Sequence, residues 1–285
     1  MFIWTKQIKA LMRFMAFCGL FFTIAACSSV NNIRPEAITP NFQSSLKVMT
    51  FNIRHGCGWE KWGNASGTFF KGCTKHYDEI IAAIKSADPD VVGLQEVSGG
   101  EAGKIAKALN MNYVHSRHNP SGYGSWWGNA VLSKFKILES QTIRIGGSAG
   151  RNRSMVSATA VINDMPIAFA SVHTDHRLYD NRSVNRILRY VESHSMPIIL
   201  IGDFNMTSFD PTISLIKESV GFVDSAFEEV KRGRMLGTYG SPHAERIDYV
   251  FVQSEFFNVL DAALVAEEHH RASDHLAYYT VIEWK

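Results

Sequence analysis

Ile198-Ile-Leu-Ile-Gly-Asp203-Phe-Asn205 is an apolar, β-branched run that stops on a carboxylate and an amide. Such a run reads as a buried strand. Its polar end is too abrupt for a strand that merely surfaces. Working outward, the same grammar recurs. Lys47-Val-Met-Thr-Phe-Asn52 ends on an amide, and Asp90-Val-Val-Gly-Leu-Gln-Glu96 on a carboxylate. Ala168-Phe-Ala-Ser-Val-His173-Thr-Asp175-His176 ends in a polar cluster. Arg246-Ile-Asp248-Tyr-Val-Phe-Val begins on an acid, and Ala272-Ser-Asp274-His275 precedes a last apolar run. One polar residue at a strand end is ordinarily a turn or cap; six such clusters mark a shared rim.

Strands are read at Leu46–Ile53, Val91–Leu94, Ala130–Leu132, Val156–Ile162, Ile167–Val172, Ile198–Ile201, Ile247–Val252 and Ala277–Ile282. Helical periodicity appears at Tyr77–Ala87, Glu101–Leu109 and Ser183–Ser193. Strands outnumber helices, which implies packed sheets with helices outside and chemistry at one edge. No repeat, linker or low-complexity segment divides residues 45–285, so one domain is expected there.

The chain has 285 residues, 46% hydrophobic and 20% charged, with 29 basic and 27 acidic side chains. That composition is globular and excludes a disordered chain. Only one stretch is long and apolar, so a multi-pass membrane protein is excluded. Residues 1–13 carry Lys6, Lys9 and Arg13 and no acid, and Phe14–Ala26 carries no charge. This reads as a signal peptide over residues 1–26. Ile24-Ala-Ala-Cys27-Ser28 resembles a bacterial lipobox, which makes Cys27 the expected lipidated residue, followed by a tether to residue 44. Ordinary cleavage to a soluble periplasmic or secreted product is the alternative. Ser after the Cys resembles outer-membrane sorting, so the expected place is the outer membrane, facing periplasm or surface. Beyond residue 26 there remain 26 basic and 27 acidic residues, a net charge of −1 that gives no electrostatic argument for a nucleic-acid partner and does not forbid one. Cys57 and Cys73 are left as an even pair in an exported chain and are expected to form a disulfide around a loop bearing Trp59, Trp62, Phe69 and Phe70.

Leu94-Gln-Glu96-Val, Gly202-Asp203-Phe-Asn205, Ile247-Asp248-Tyr and Ser273-Asp274-His275 together resemble the endonuclease/exonuclease/phosphatase superfamily. That family includes pancreatic-type deoxyribonuclease, abasic-site endonucleases, neutral sphingomyelinases and inositol polyphosphate 5-phosphatases. The resemblance covers nearly all of residues 45–285. It implies a four-layer α/β sandwich, two packed mixed β-sheets flanked by helices, and a divalent-metal-dependent phosphoester hydrolase.

Attack of water on an anionic phosphoester needs charge neutralisation, which a hard divalent ion on oxygen ligands supplies. By resemblance the metal ligands are Glu96 and Asn52, with Asp274 joining directly or through water. The ion is Mg²⁺, with Mn²⁺ or Ca²⁺ as alternatives. His275 and Asp248 match the family's paired histidine and aspartate, the histidine acting as phosphate-stabilising cation or as general base. Asp203 matches the group that orients or deprotonates water, or protonates the leaving group. Asn205 and His173 would hold phosphate oxygens. Asn129, in Gly128-Asn-Ala-Val-Leu-Ser, would organise the site or touch substrate. Arg151 and Arg153 would bind a further phosphate or belong to a solvated loop. Asp175 and His176 would position a loop, and His269 and His270 match nothing. Trp126-Trp127, beside Asn129, and the aromatic Cys57–Cys73 loop would form a rim that meets lipid or a base, or else pack in core or loop, although two adjacent residues cannot easily both be buried.

Substrate does not follow from these motifs. The leading expectation is a phosphodiesterase or phosphomonoesterase on small or lipid phosphates, acting by in-line water attack as a monomer held to a membrane by its anchor. A secreted nuclease is the first alternative, and a non-catalytic binding lipoprotein the second.

Overall fold

Consecutive residues of the central strands enter different cores, which explains why those strands read as unbroken apolar runs. The computed structural model describes residues 30–32, 43–58, 73–122, 125–148, 152–176, 181–226, 236–239, 245–265, 269 and 271–285. In chain order the elements are β1 (Val30–Asn31), β2 (Ser45–Asn52), α1 (Tyr77–Ala87), β3 (Val91–Val97), α2 (Gly99–Leu109) and β4 (Asn112–Arg117). Then come β5 (Gly128–Ser133), β6 (Ile137–Gly146), β7 (Arg153–Ile162), β8 (Met165–His173), α3 (Arg182–Glu192) and β9 (Ile198–Asp203). The chain closes with α4 (Pro211–Ser219), β10 (Phe222–Asp224), β11 (Asp248–Gln253), β12 (Phe257–Leu264) and β13 (Tyr278–Trp284).

Seven strands form one sheet, in the order β1-β4-β5-β3-β2-β13-β12, and six form the other, β10-β11-β9-β8-β7-β6. Each sheet holds one parallel pair, β2·β3 and β8·β9, and every other pairing is antiparallel. The parallel pairs are joined through α1 and α3, as parallel strands require a crossover.

Three apolar clusters fill the three interfaces between layers. Val48, Val91, Val131, Ile199, Ile201, Val250 and Val252 meet between the sheets. Met49, Val92, Leu94 and Leu132 face the other way, onto Ile80 and Ile84 of α1 and Ile105 of α2. Ile198, Leu200, Tyr249 and Phe251 turn outward onto Val184, Ile187 and Val191 of α3 and Ile213 and Ile216 of α4. Period-2 alternation thus gives four layers, as the sequence implied. Gly93 lets the sheets approach closely, since a Cβ there would lie 2.6 Å from Ile201 Cγ2.

The expected strands and helices are all present, with boundaries moved by a few residues. Strands β1, β4, β6, β10 and β12 and helix α4 were not expected. The tether expected up to residue 44 is partly sheet: Val30 pairs with Val114 and Asn31 with Tyr113. The Asn32 amide exchanges two hydrogen bonds with Ile137, and Gln43 exchanges two with the Asn163 side chain. The folded unit therefore includes chain before residue 45. Residues 1–26, Cys27, the aromatic loop residues Trp59, Trp62, Phe69 and Phe70, and Arg151 and His270 lie outside the described residues. The expected disulfide is formed, with Cys57 and Cys73 Cα atoms 5.4 Å apart.

Candidate active site

Register brings the polar strand ends to one rim. Asn52 lies opposite Gln95, His173 opposite Asp203, and Asp203 opposite Asp248. Gln95 in turn pairs with Asn129. The parallel pairs place Asn52, Glu96, His173 and Asp203 at carboxyl ends, the customary location of sites in such sheets. The two sheets are tied just below by a buried polar chain. Thr50 Oγ1 donates to Gln95 Oε1 (3.2 Å), and Gln95 Nε2 to Ser171 Oγ (3.1 Å). Asn129 Nδ2 donates to the carbonyls of Ser154 (2.5 Å) and Ser171 (3.3 Å). Asn129 therefore organises the site from below, one of the two roles anticipated.

Asp203 Oδ2 is the hub of the rim. It accepts from Asn52 Nδ2 (3.0 Å) and lies 3.6 Å from His173 Nε2 and 3.8 Å from His275 Nε2. Its Oδ1 accepts the Asn205 backbone N–H (2.8 Å). Burial and the neighbouring Asp248 push the Asp203 carboxyl up to about 7, against the pull of His275 and two hydrogen bonds. His275 Nδ1 and Asp248 Oδ2 are 2.8 Å apart. Burial opposes charge on His275, but Asp248 first, then Asp203 and Asp274, outweigh it and raise its pKa to about 10. His275 is accordingly a cation with Nε2 turned toward Asp203. Thr238 Oγ1 accepts the N–H groups of Ile247 and Asp248, and Leu276 N–H donates to Thr238 O, which fixes the pair. The Tyr239 ring packs against His275 at 5.0 Å and remains 46% exposed.

Glu96 and Asp274 form the second acidic group. Burial, then the charge of Asp274, raise the Glu96 pKa. Asp274 Oδ2 lies 3.3 Å from Arg54 Nε. Asn52, expected as a metal ligand beside Glu96, hydrogen-bonds the Glu96 side chain and donates to Asp203, and its Oδ1 accepts the Arg54 backbone N–H (3.1 Å), which leaves that oxygen a second lone pair. Asn205, expected to hold phosphate, donates one amide hydrogen to Thr174 O (3.0 Å), which leaves its second hydrogen for a ligand. Asp175 accepts from Ser148 N–H and Oγ–H, the loop-positioning role expected of it.

Which residues suit a divalent ion follows from the donors. Ligand atoms of Asp203, Asp248 and His275 lie within 4.8 Å of one another. Within that set, His275 already carries the compensating charge. Glu96 and Asp274 instead repel each other, and two hard carboxylates in that state fit a hard divalent ion.

Several site residues were not anticipated. Arg54 and His55 follow Asn52 in left-handed conformation, φ 46° and 55°, which folds both side chains back into the rim. His55 Nε2 lies 3.7 Å from Glu96 Oε2, but burial, then Lys75 and Arg54, lower its pKa to about 3, so the contact is not an ion pair. His55 packs on Trp126 (4.6 Å) and Trp127 (5.0 Å). Trp127 is buried and Trp126 is 46% exposed. His118 and Arg153 flank Trp127 as well. Arg153 is 3% exposed, so the solvated-loop reading does not hold for it. Arg54 and His55 stand two and three residues after Asn52 in the chain, but nothing there marked them as site residues, and His118 carried no signal either.

The family model for endonucleases, exonucleases and phosphatases matches residues 49–275. No sequence among the curated proteins matches significantly. The endonuclease/exonuclease/phosphatase from Bacteroides vulgatus superposes with a TM-score of 0.68 at 19% identity, covering 85% of this chain and 100% of that one. The human Nocturnin catalytic domain, solved with bound sulfate, gives 0.65 at 16% identity, over 86% and 96%. The mannosyl-6-phosphatase of Bacteroides thetaiotaomicron gives 0.62 at 20%, over 84% and 99%. These likenesses establish the four-layer fold. The family match spans every acidic, amide and histidine position of the rim, and on that ground the chain belongs to the endonuclease/exonuclease/phosphatase family.

Proposed function

We propose that this protein hydrolyses a phosphoester by in-line attack of water, with a divalent cation, Mg²⁺ foremost, held at Glu96 and Asp274. The observation that carries the reading is the Asp248–His275 pair, 2.8 Å apart, with the second imidazole nitrogen facing Asp203. A bound divalent ion would supply charge neutralisation at the phosphoryl oxygens. Asp248 fixes the imidazole so that Nε2–H can stabilise charge growing on a phosphoryl oxygen. Asp203, neither firmly ionised nor firmly neutral near pH 7, is suited to take the proton of the attacking water. The remaining Asn205 N–H and His173 orient the phosphate. A phosphatase among the structural relatives supports monoesters as substrates beside diesters. The Cys57–Cys73 disulfide supports an exported location, and with it the Cys27 anchor.

The test is Mg²⁺-dependent turnover by the purified protein. The panel holds bis-p-nitrophenyl phosphate, mannose 6-phosphate, sphingomyelin, an inositol polyphosphate and plasmid DNA. Turnover of one substrate, falling about 10²–10⁴-fold in His275→Ala, is the expected result. Silence on the whole panel by folded, metal-loaded protein would reject hydrolysis of these classes. Plasmid nicking alone would transfer the reading to a nuclease.

A further inference from the structure

Arg153 and His118 flank Trp127 on the His173 side of the rim, and the reaction above uses neither. The Arg153 guanidinium lies 5.1 Å from the Trp127 ring centroid. Its Nε and Nη1 are buried without a hydrogen-bond partner among the described residues. His118 is fully buried, with its ring edge-on to Trp127 at 4.6 Å and 5.6 Å from the His173 ring. The Ser154 backbone N–H donates to His118 Nδ1 (3.1 Å), so in the neutral ring the proton sits on Nε2. Burial, then the charge of Arg153, keep that ring neutral. His118 Nε2 likewise has no partner among the described residues.

Three buried N–H donors beside one indole are thus unmatched. Native proteins seldom leave such groups unpaired, and buried guanidinium N–H groups that meet no acceptor are among the costliest, even with the Glu96 carboxylate near enough to feel the charge. Their natural complement is an oxyanion, because charge and fixed N–H directions both favour one. The position is one imidazole removed from the reactive centre, since His173 itself lies 3.6 Å from Asp203.

We propose that Arg153 and His118 form an oxyanion subsite that takes a second acidic group of the substrate, next to the phosphoester being cleaved. The proposal rests on the phosphoester-hydrolase reading and narrows it to substrates with two anionic groups.

Imidazole NMR of the full chain in EDTA, titrated with inorganic phosphate, separates the two positions because His118 and His275 report independently. The His118 signal should shift saturably. In Arg153→Met its dissociation constant should weaken about tenfold or more, while the His275 response persists. Arg153→Met should also melt no lower than wild type, because it removes an unpaired buried cation. Should that variant not fold, His118→Phe keeps the ring against Trp127 and removes the donor. Calorimetry then compares glucose 1-phosphate with glucose 1,6-bisphosphate and with glucuronic acid 1-phosphate. Wild type should gain about tenfold affinity from the second group, and His118→Phe should lose that gain. Whether phosphate or carboxylate gives the gain identifies the group.

An unmoved His118 signal would overturn the subsite. So would His118 and His275 responses that share one dissociation constant and vanish together, since they would report a single phosphate. A lowered melting point with phosphate binding intact would make Arg153 structural. A saturable His118 response in a protein that hydrolyses nothing would strike the hydrolase reading and leave the subsite standing.

Discussion

His275 carries its proton because three acids face it, and this makes stability depend on pH in a defined direction. Its pKa is about 10 in the fold and about 6.5 in an unfolded chain. The folded state therefore binds the proton more tightly. That contribution is complete below about pH 6.5 and is lost as pH rises through the folded value. Denaturant unfolding in EDTA at pH 6.5, 8 and 9.5 should show wild type losing up to about 1.4 kcal/mol per pH unit more than Asp248→Asn. Parallel slopes would mean that Asp248 does not hold the proton there. At this scale much of the site was legible. Asn52, Glu96, His173, Asp203, Asp248 and His275 sit where apolar runs stop, and their residue types name the chemistry. Arg54 and His55 were not legible as site residues because their left-handed backbone redirects them. Nothing in the identity of an arginine or histidine announces that conformation.

At the scale of elements, α2 begins three residues beyond Glu96, and its cap anchors the end of β3. Ser98 Oγ accepts the Glu101 N–H (3.3 Å), and Glu101 Oε2 accepts the Ser98 N–H (2.8 Å), a closed capping box. Glu101 Oε1 also accepts the Tyr77 hydroxyl of α1 (2.6 Å) and lies 3.6 Å from Lys75 Nζ. One carboxylate thus joins two helices and the strand that presents Glu96. Glu101→Ala should cost about 2 kcal/mol, the sum of a cap and a charged hydrogen bond. Glu101→Gln should recover about half, since an amide oxygen still serves the cap. Equilibrium unfolding measures both, and a loss below about 0.5 kcal/mol in the Ala variant would show the box to be idle. Legibility of elements divided along the same physical line. The strands found from sequence lie inside the sheets, where both faces are covered. The missed strands β1, β12, β10 and β6 are the sheet edges, and β4 lies next to one. Edge strands are half solvated, so Leu138 and Leu260 are exposed and charged residues interrupt the runs. Helix α4 had a readable start, Asp210 capping with Pro211 in the first turn, but only Ile213 and Ile216 on its apolar face.

Across the whole molecule, three apolar interfaces support a rim that is itself destabilising. His55, His118 and His173 are buried and neutral, each with its pKa lowered chiefly by burial and then by neighbouring cations, Arg153 among them for the last two. Unfolded, they titrate near 6.5. Their contribution is therefore complete above about pH 6.5 and is lost as pH falls, because the unfolded chain takes up protons that the fold refuses. For His55, at about 3 in the fold, the cost at pH 5 is about 2 kcal/mol, and His118 and His173 act in the same direction. Asp203 works in the opposite sense. Its raised folded pKa means that the native state gains a proton below about 7, while an unfolded aspartate waits until about 3.9. That proton offsets roughly one histidine and part of another. His275 works in the same stabilising sense until about pH 6.5, since only the folded state holds its proton above that, and drops out of the balance below it. Glu96, its pKa raised chiefly by burial, works in the same sense as Asp203, and the histidines' loss is felt below about pH 6.5. Thermal melts in EDTA should fall from pH 6.5 to 5, where the histidines' loss is no longer matched by proton uptake at His275, and His118→Phe should flatten the fall. A melting point that stays level or rises over that interval would show these histidines charged in the fold, and with them the neutral donor at His118 would be lost.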